Sequence, residues 1–236
     1  MVAKPRWGFL DIIIVYLGIL GTGIIVSLLG SNIPQIAAGF GLGDIGFFLF
    51  AFLLQFLATI GLVYIMAVVV AQGSWSDLGI KSTHPNNYLE YGVLGGVLLV
   101  ILVVFLGAFI KQFQPELPPQ YYEEMLRSAG NLPVFIPVFL AGVVLAPISE
   151  EIFYRGMVYP VFREYLGPFW GAIGAGLIFG LAHWDLWRAL PLSIGGAVLC
   201  YIYEKTGSIW VPAVAHGIWN GTMALAVYLS IFKGLV

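Results

Sequence analysis

LEYGVLGGVLLVILVVFLGAFI, residues 89–110, decides the fold. It carries one charged side chain, Glu90, close to its start, and a helix of this length, at about 1.5 Å per residue, covers the roughly 30 Å hydrocarbon core of a bilayer. In that medium the backbone has no water to bond, so the segment must be helical. The rest of the chain has the same character: of 236 residues 60% are hydrophobic and 9% charged, the formal net charge is −2 and the mean hydropathy is +0.96. A soluble domain is nearer half apolar. We expect an all-α, polytopic transmembrane helical bundle, a single integral-membrane domain over residues 1–236. No basic excess exists to attract nucleic acid. Cys200, the only cysteine, has no partner for an intramolecular disulfide.

Similar apolar runs recur on both sides of this segment. Lys4 and Arg6 precede a run from about Gly8 to Gly30, which is too long for a secretory signal and lacks a clear small-residue cleavage site. It reads as a first transmembrane helix with its basic flank, and so the N-terminus, in the cytoplasm. A glycine-rich loop through Asp44 leads to a second span at about Gly46 to Ala71. The loop QGSWSDLGIKSTHPNN follows, with His84 beside Pro85 as a solvated loop histidine. Beyond Ile110, the polar connection from Lys111 to Asn131 contains YYEEMLRSAG, a candidate short interfacial helix anchored by Tyr121 and Tyr122, with Glu123, Glu124 and Arg127 on a solvated face. A fourth span runs from near Leu132 to about Tyr165 despite Pro133, Pro137 and Pro147, and Gly167 and Pro168 mark a turn. The fifth span, from about Phe169, holds Gly171, Gly174, Gly176 and Gly180, small residues that let helix backbones approach closely. A sixth, about Leu190 to Tyr203, and a seventh, Ser208 to about Phe232, bring the total to about seven transmembrane helices. Cytoplasmic Lys4, Arg6, Lys81, Arg155, Arg163 and Lys205 are set against Lys111, Arg127, Arg188 and Lys233 outside.

Charge is so scarce that APISEEIFYRG, residues 146–156, needs an explanation. On a helix, Glu151 and Arg155 share a face with the glutamate N-terminal, the favourable order for an ion pair, while Glu150 points about 100° away. Glu151 is then neutralised and Glu150 keeps its lone pairs for other work. The competing reading is a charge cluster where a helix leaves the bilayer. Further polar side chains are buried by pattern: Phe179 and His183 share a face in FGLAHW, and His216 and Asn220 share one in HGIWN. A lone intramembrane histidine often does no more than bond a carbonyl. A charge at mid-bilayer costs about 2.5 to 3.5 kcal/mol, however, so these groups are expected to face one interior cavity. About a turn near Leu166 and Gly167, Glu150 lies about 16 residues before the pivot and His183 about 17 after it, each roughly 24 Å along its helix.

SEEIFYRG, FGLAH and HGIWN, in that order, resemble the EExxxR, FxxxH and HxxxN motifs of the CAAX protease and bacteriocin-processing family (CPBP, or Abi), which includes the type II CAAX prenyl endopeptidases. SWSDLGI at residues 74–80 is also similar to a segment often found upstream in such proteins. The motif resemblance covers Ser149 to Asn220, with the chemistry concentrated in residues 146–221. It implies a glutamic-type intramembrane endopeptidase of a prokaryotic plasma membrane, hydrolysing a bond in a membrane-associated peptide or protein with water activated by a glutamate and a histidine. On the matching positions it implies Glu150 as base with His183 assisting, Glu151 and Arg155 as a supporting pair, His216 with Asn220 as the oxyanion site, and no cofactor. The residues themselves agree on Glu150, since a carboxylate in an apolar cavity can take a proton from water and return it to the leaving amine. His216 and Asn220, one turn apart, can both donate to one developing oxyanion. Glu150, His183 and His216 also match a zinc ligand set in kind, although no HExxH is present. A noncatalytic immunity or scaffold protein of the same fold is the alternative. A transporter, the third reading, would more often show repeats and interrupted helix pairs.

Overall fold

Residues 85–110 form one helix whose Leu98, Ile101, Val104 and Phe105 are turned outward and more than half exposed. Contiguous aliphatic and aromatic surface of that kind is stable against lipid and not against water. The computed structural model describes residues 2–29 and 43–232, and within them every regular element is helical. We number these α1 (Phe9–Leu29), α2 (Gly43–Val70), α3 (Pro85–Ile110), the short α4 (Tyr121–Ser128), α5 (residues 132–166), α6 (residues 168–181), α7 (Leu186–Thr206) and α8 (Trp210–Phe232). Helices α1, α2, α3, α7 and the continuous α5–α6 stretch are long and apolar enough to cross a membrane. The chain is an integral-membrane helical bundle.

The α5–α6 stretch is folded at Gly167, whose φ of 76° lies in the left-handed region that favours glycine. The chain doubles back there, bringing Gly171 against the backbone of Arg163 and Gly174 against the ring of Phe162. Gly176 and Gly180 face the other way, onto the backbone of α7 near Ser193. The glycines therefore allow close packing on two faces of α6.

Polar groups segregate to the two ends of the bundle. At one end Lys4 pairs with Glu164 at 2.7 Å, Arg6 donates to the Gln72 carbonyl at 2.9 Å, and Arg163 grips Glu204 through Nε and Nη2 at 2.7 and 2.8 Å. At the other, Arg188 donates to the Pro118 carbonyl at 2.6 Å and Arg127 to Ser230 at 3.4 Å. Arg155, expected among the loop cations of the first end, is instead wholly buried in the bundle, because its counter-charge Glu151 is buried with it. Lys233 and residues 31–42 of the glycine-rich loop expected through Asp44 lie outside the described residues, while Gly43 and Asp44 already belong to α2. In α4 the Glu123–Arg127 pair stays at the surface, but only Tyr121 of the two tyrosines is exposed; Tyr122 turns inward against Gly142. His84 is exposed and caps the start of α3 by accepting from Asn86 N at 3.2 Å.

The SWSDLGI loop closes the first end. Asp77 Oδ2 accepts from the Ser74 amide and hydroxyl, both at 2.9 Å, and the Gly79 carbonyl accepts from Ile209 N at 3.0 Å. Leu78 is fully buried, with its carbonyl against Gly156. The loop thereby braces the part of α5 that follows Arg155.

Helix α5 departs from the α-helix that residue spacing predicts. The Ala146 N–H reaches five residues back to the Ala141 carbonyl, and residues 151–158 again form a wide π-helical turn. Pro147 supplies a cause: it has no N–H, and its ring crowds the carbonyl four residues before it. The carbonyls of Gly142 and Val143 therefore lack their usual donors. Asn220 of α8 supplies one to Gly142 at 2.8 Å, and Gly217 lets α8 come close to Val143. This draws α8, and His216 with it, onto α5.

Candidate functional site

Glu150 and Glu151 leave α5 in different directions. Glu151 points into the bundle and is fully buried; its Oε1 accepts from Arg155 Nη1 at 2.9 Å and lies 2.9 Å from His216 Nδ1. Its Oε2 has no hydrogen-bond partner among the described residues. Arg155, equally buried, donates from Nη2 to the Gly196 carbonyl of α7 at 3.0 Å and lays its guanidinium over Phe179, 4.7 Å from the ring centroid. Removing either charge would strand the other in a medium that cannot solvate it. The ring face adds a cation–π attraction, which strengthens where water is absent.

Glu150 opens onto a cavity of about 280 Å³ with 31% of its side chain exposed. His183 lines the same cavity, as do Ser149, Tyr154, Tyr16 of α1, and Gln55 and Thr59 of α2. His183 sits just past the end of α6 with Nδ1 2.8 Å from the Phe179 carbonyl. A carbonyl only accepts, so Nδ1 carries the hydrogen and the neutral ring keeps its lone pair on Nε2. Glu150 and His183, from separate helices, thus share one space.

Neither of the other two expected site residues lines that cavity. His216 is 3% exposed, wedged between the rings of Phe179 and Trp219, and its Nε2 lies 3.8 Å from Glu150 Oε2. Asn220 commits one Nδ2 hydrogen to Gly142 and retains the second. Among the described residues no three His, Cys, Asp or Glu side chains are placed to hold a metal ion. Residue spacing did not single out Tyr154, Trp219 or Tyr16. Gln55 and Thr59 carried a usable signal, being the only polar side chains between Gly46 and Val63 and one turn apart.

A helical membrane bundle that gathers a glutamate pair, an arginine and two histidines from three helices is the setting in which relatives become informative. Residues 132–222, from the start of α5 to the middle of α8, match the type II CAAX prenyl endopeptidase family described as Rce1-like. Over those residues the chain is similar to the CAAX protease (CPBP) family. Similar proteins include "Putative membrane peptidase YdiL" of Bacillus subtilis (strain 168), 30% identical over 83 residues, which are 35% of this chain and 34% of that protein. "UPF0177 protein YaiF" of Lactococcus lactis subsp. lactis (strain IL1403) is 33% identical over 86 residues, 35% of this chain and 37% of the relative. An uncharacterized 24.3 kDa protein of Escherichia coli is 29% identical over 105 residues, 42% and 48% of the two chains. The chain thus spans from about a third to about half the length of these relatives. No solved structure matches it.

Proposed function

We propose that the protein is an intramembrane endopeptidase that hydrolyses a peptide bond with water held between Glu150 and His183. The observation that carries this reading is the single cavity onto which both side chains open, inside a helical membrane bundle. A water there donates one hydrogen to the Glu150 carboxylate and the other to His183 Nε2, which leaves an oxygen lone pair free to face a carbonyl carbon. As the new C–O bond forms, Glu150 takes the proton, and it returns that proton to the leaving nitrogen when the C–N bond breaks. The oxyanion is assigned to the second Nδ2 hydrogen of Asn220 together with His216. The buried Glu151–Arg155 pair holds α5 in register beneath these groups.

The substrate proposed is a membrane-associated peptide or protein with apolar side chains near the scissile bond. A groove of about 660 Å³, almost wholly apolar, shares Tyr16, Phe153 and Ala182 with the polar cavity and extends to Trp184 and Leu186. Such a groove favours a chain segment delivered from the bilayer. By the positive-inside rule, the end carrying Lys4, Arg6, Lys81, Arg163 and Lys205 faces the cytoplasm of a prokaryotic cell. The reading is tested by incubating the purified, reconstituted protein with a library of membrane peptides and identifying products by mass spectrometry. New termini made by wild type and absent with Glu150→Gln support it, whereas a library left intact by wild type supports a noncatalytic role for the same fold.

A further inference from the structure

Glu151, His216 and Glu150 form a line that runs from the buried interior to the cavity. Glu151 Oε1 is 2.9 Å from His216 Nδ1, and the opposite nitrogen, Nε2, is 3.8 Å from Glu150 Oε2. Because the same Oε1 accepts from Arg155, it carries no hydrogen and can only accept from His216. The hydrogen of a neutral His216 therefore resides on Nδ1, and Nε2 presents a lone pair toward Glu150. An oxyanion donor at that position would need a hydrogen on Nε2, which the neutral ring does not have.

We infer that His216 stores the catalytic proton, and that Glu151 is the positioning residue that fixes its tautomer and compensates its charge. This rests on the peptidase reading above. When water adds to the carbonyl carbon and the C=O electron pair moves onto oxygen, the water proton passes to Glu150 and from there to His216 Nε2. The imidazolium so formed directs one N–H to Glu151 and the other toward Glu150 and the new oxyanion. When the C–N bond breaks and the C=O re-forms, the proton returns through Glu150 to the leaving nitrogen, and the carboxylic product releases its own proton to solvent. His216 thus becomes an oxyanion donor only when the oxyanion exists.

The setting suits a stored charge. Glu151 Oε2 is buried and, among the described residues, unpartnered, so the carboxylate has unused capacity for a second cation. The rings of Phe179 and Trp219 flank the imidazole, and Arg155 bonds the same Glu151 oxygen that faces it. Among the described residues no hydrogen bond ties the Glu150 carboxylate in place, so a side-chain rotation can close the 3.8 Å gap.

The test combines a spectroscopic readout with turnover. With protein labelled by ¹⁵N-histidine, the His216 signal, assigned by its loss in His216→Gln, should show a protonated Nδ1 and a bare Nε2 at neutral pH. In Glu151→Gln/Arg155→Met, which avoids leaving either charge buried alone, both tautomers should be populated. In that variant and in His216→Gln, kcat should fall about 100-fold with KM little changed, and the combined triple variant should lose no more than either alone. A wild-type Nε2 that carries hydrogen, or near-normal kcat in His216→Gln, whose amide is still a neutral donor, would overturn the proton store while leaving the peptidase reading intact. If wild type cleaves nothing, the peptidase reading falls and takes this inference with it.

Discussion

Asn220 of α8 donates from Nδ2 to the carbonyl oxygen of Gly142 at 2.8 Å, joining residues 78 apart in sequence. The carbonyl is available because the Ala146 N–H bonds Ala141 instead. Asn220→Ala would leave it unpaired in a buried stretch of α5, at a cost of about 1 to 3 kcal/mol. We therefore expect a lower unfolding temperature in detergent as well as lower activity. Asn220→Asp should be worse, since its carboxylate would face the carbonyl without a donor. Unfolding of Asn220→Ala at the wild-type temperature would show that this bond does not anchor α8.

Arg155→Ala leaves Glu151 ionised and buried with no guanidinium, and breaking such a pair costs about 3 to 5 kcal/mol. Most of this variant should be lost before purification, which fluorescence size-exclusion of a tagged chain will show. Arg155→Lys keeps the charge but cannot bond Glu151 and Gly196 at once while lying flat on Phe179, so its yield should fall between the two. Wild-type yield for Arg155→Ala would mean that Glu151 is not ionised there.

Much of this arrangement could be read from the chain. Apolar runs of bilayer length mark the spans, Gly167 and Pro168 mark the turn between α5 and α6, and the four-residue spacing of Glu151 and Arg155 puts them on one face. All of these depend on local chemistry. His216 as a second partner of Glu151 does not, since it arrives from 65 residues away on a helix whose position follows from the rearranged hydrogen bonds around Pro147. The same applies to Asn220, whose spacing with His216 gave a shared helix face but not the orphaned Gly142 carbonyl. Arg155 sits near the end of an apolar run, where a long cation usually reaches for water. Its burial becomes intelligible only with the Gly196 carbonyl and the Phe179 ring in view, both from other helices. The walls contributed by α1 and α2 are hidden for a similar reason: hydropathy identifies a span but not the face it turns inward.

Close packing of α6 on α7 gives a stability test with an internal control. A side chain at Gly176 would meet the Ser193 carbonyl at about 2.5 Å and the Ala197 amide at about 2.7 Å, so Gly176→Leu must force the helices apart and move His183 with them. We expect little folded protein. Gly107 on α3 has open space where a Cβ would go, and Gly107→Ala should be neutral or stabilising by up to about 1 kcal/mol. Equal thermal stability of the two variants would contradict the packing described.

If Glu150 and His183 alone activate the water, as proposed, hydrolysis requires no metal. Prolonged treatment with strong chelators should leave hydrolysis unchanged, and metal analysis of active protein should find well under one equivalent per chain. Stoichiometric zinc lost in step with activity would move Glu150, His183 and His216 to ligand roles.

Glu150 is assigned the proton transfer, and cleavage by Glu150→Gln set beside cleavage by wild type puts that role to the test. Glutamine is close to isosteric, and among the described residues the Glu150 carboxylate makes no hydrogen bond that the change would break, its approach to His216 Nε2 being 3.8 Å, so the variant should insert and unfold like wild type. With a peptide identified from the library and both proteins in identical vesicles, we predict at least a roughly 100-fold loss of kcat for Glu150→Gln. Turnover within a few-fold of wild type would contradict the account, because no carboxylate would then remain at the cavity wall to accept the proton.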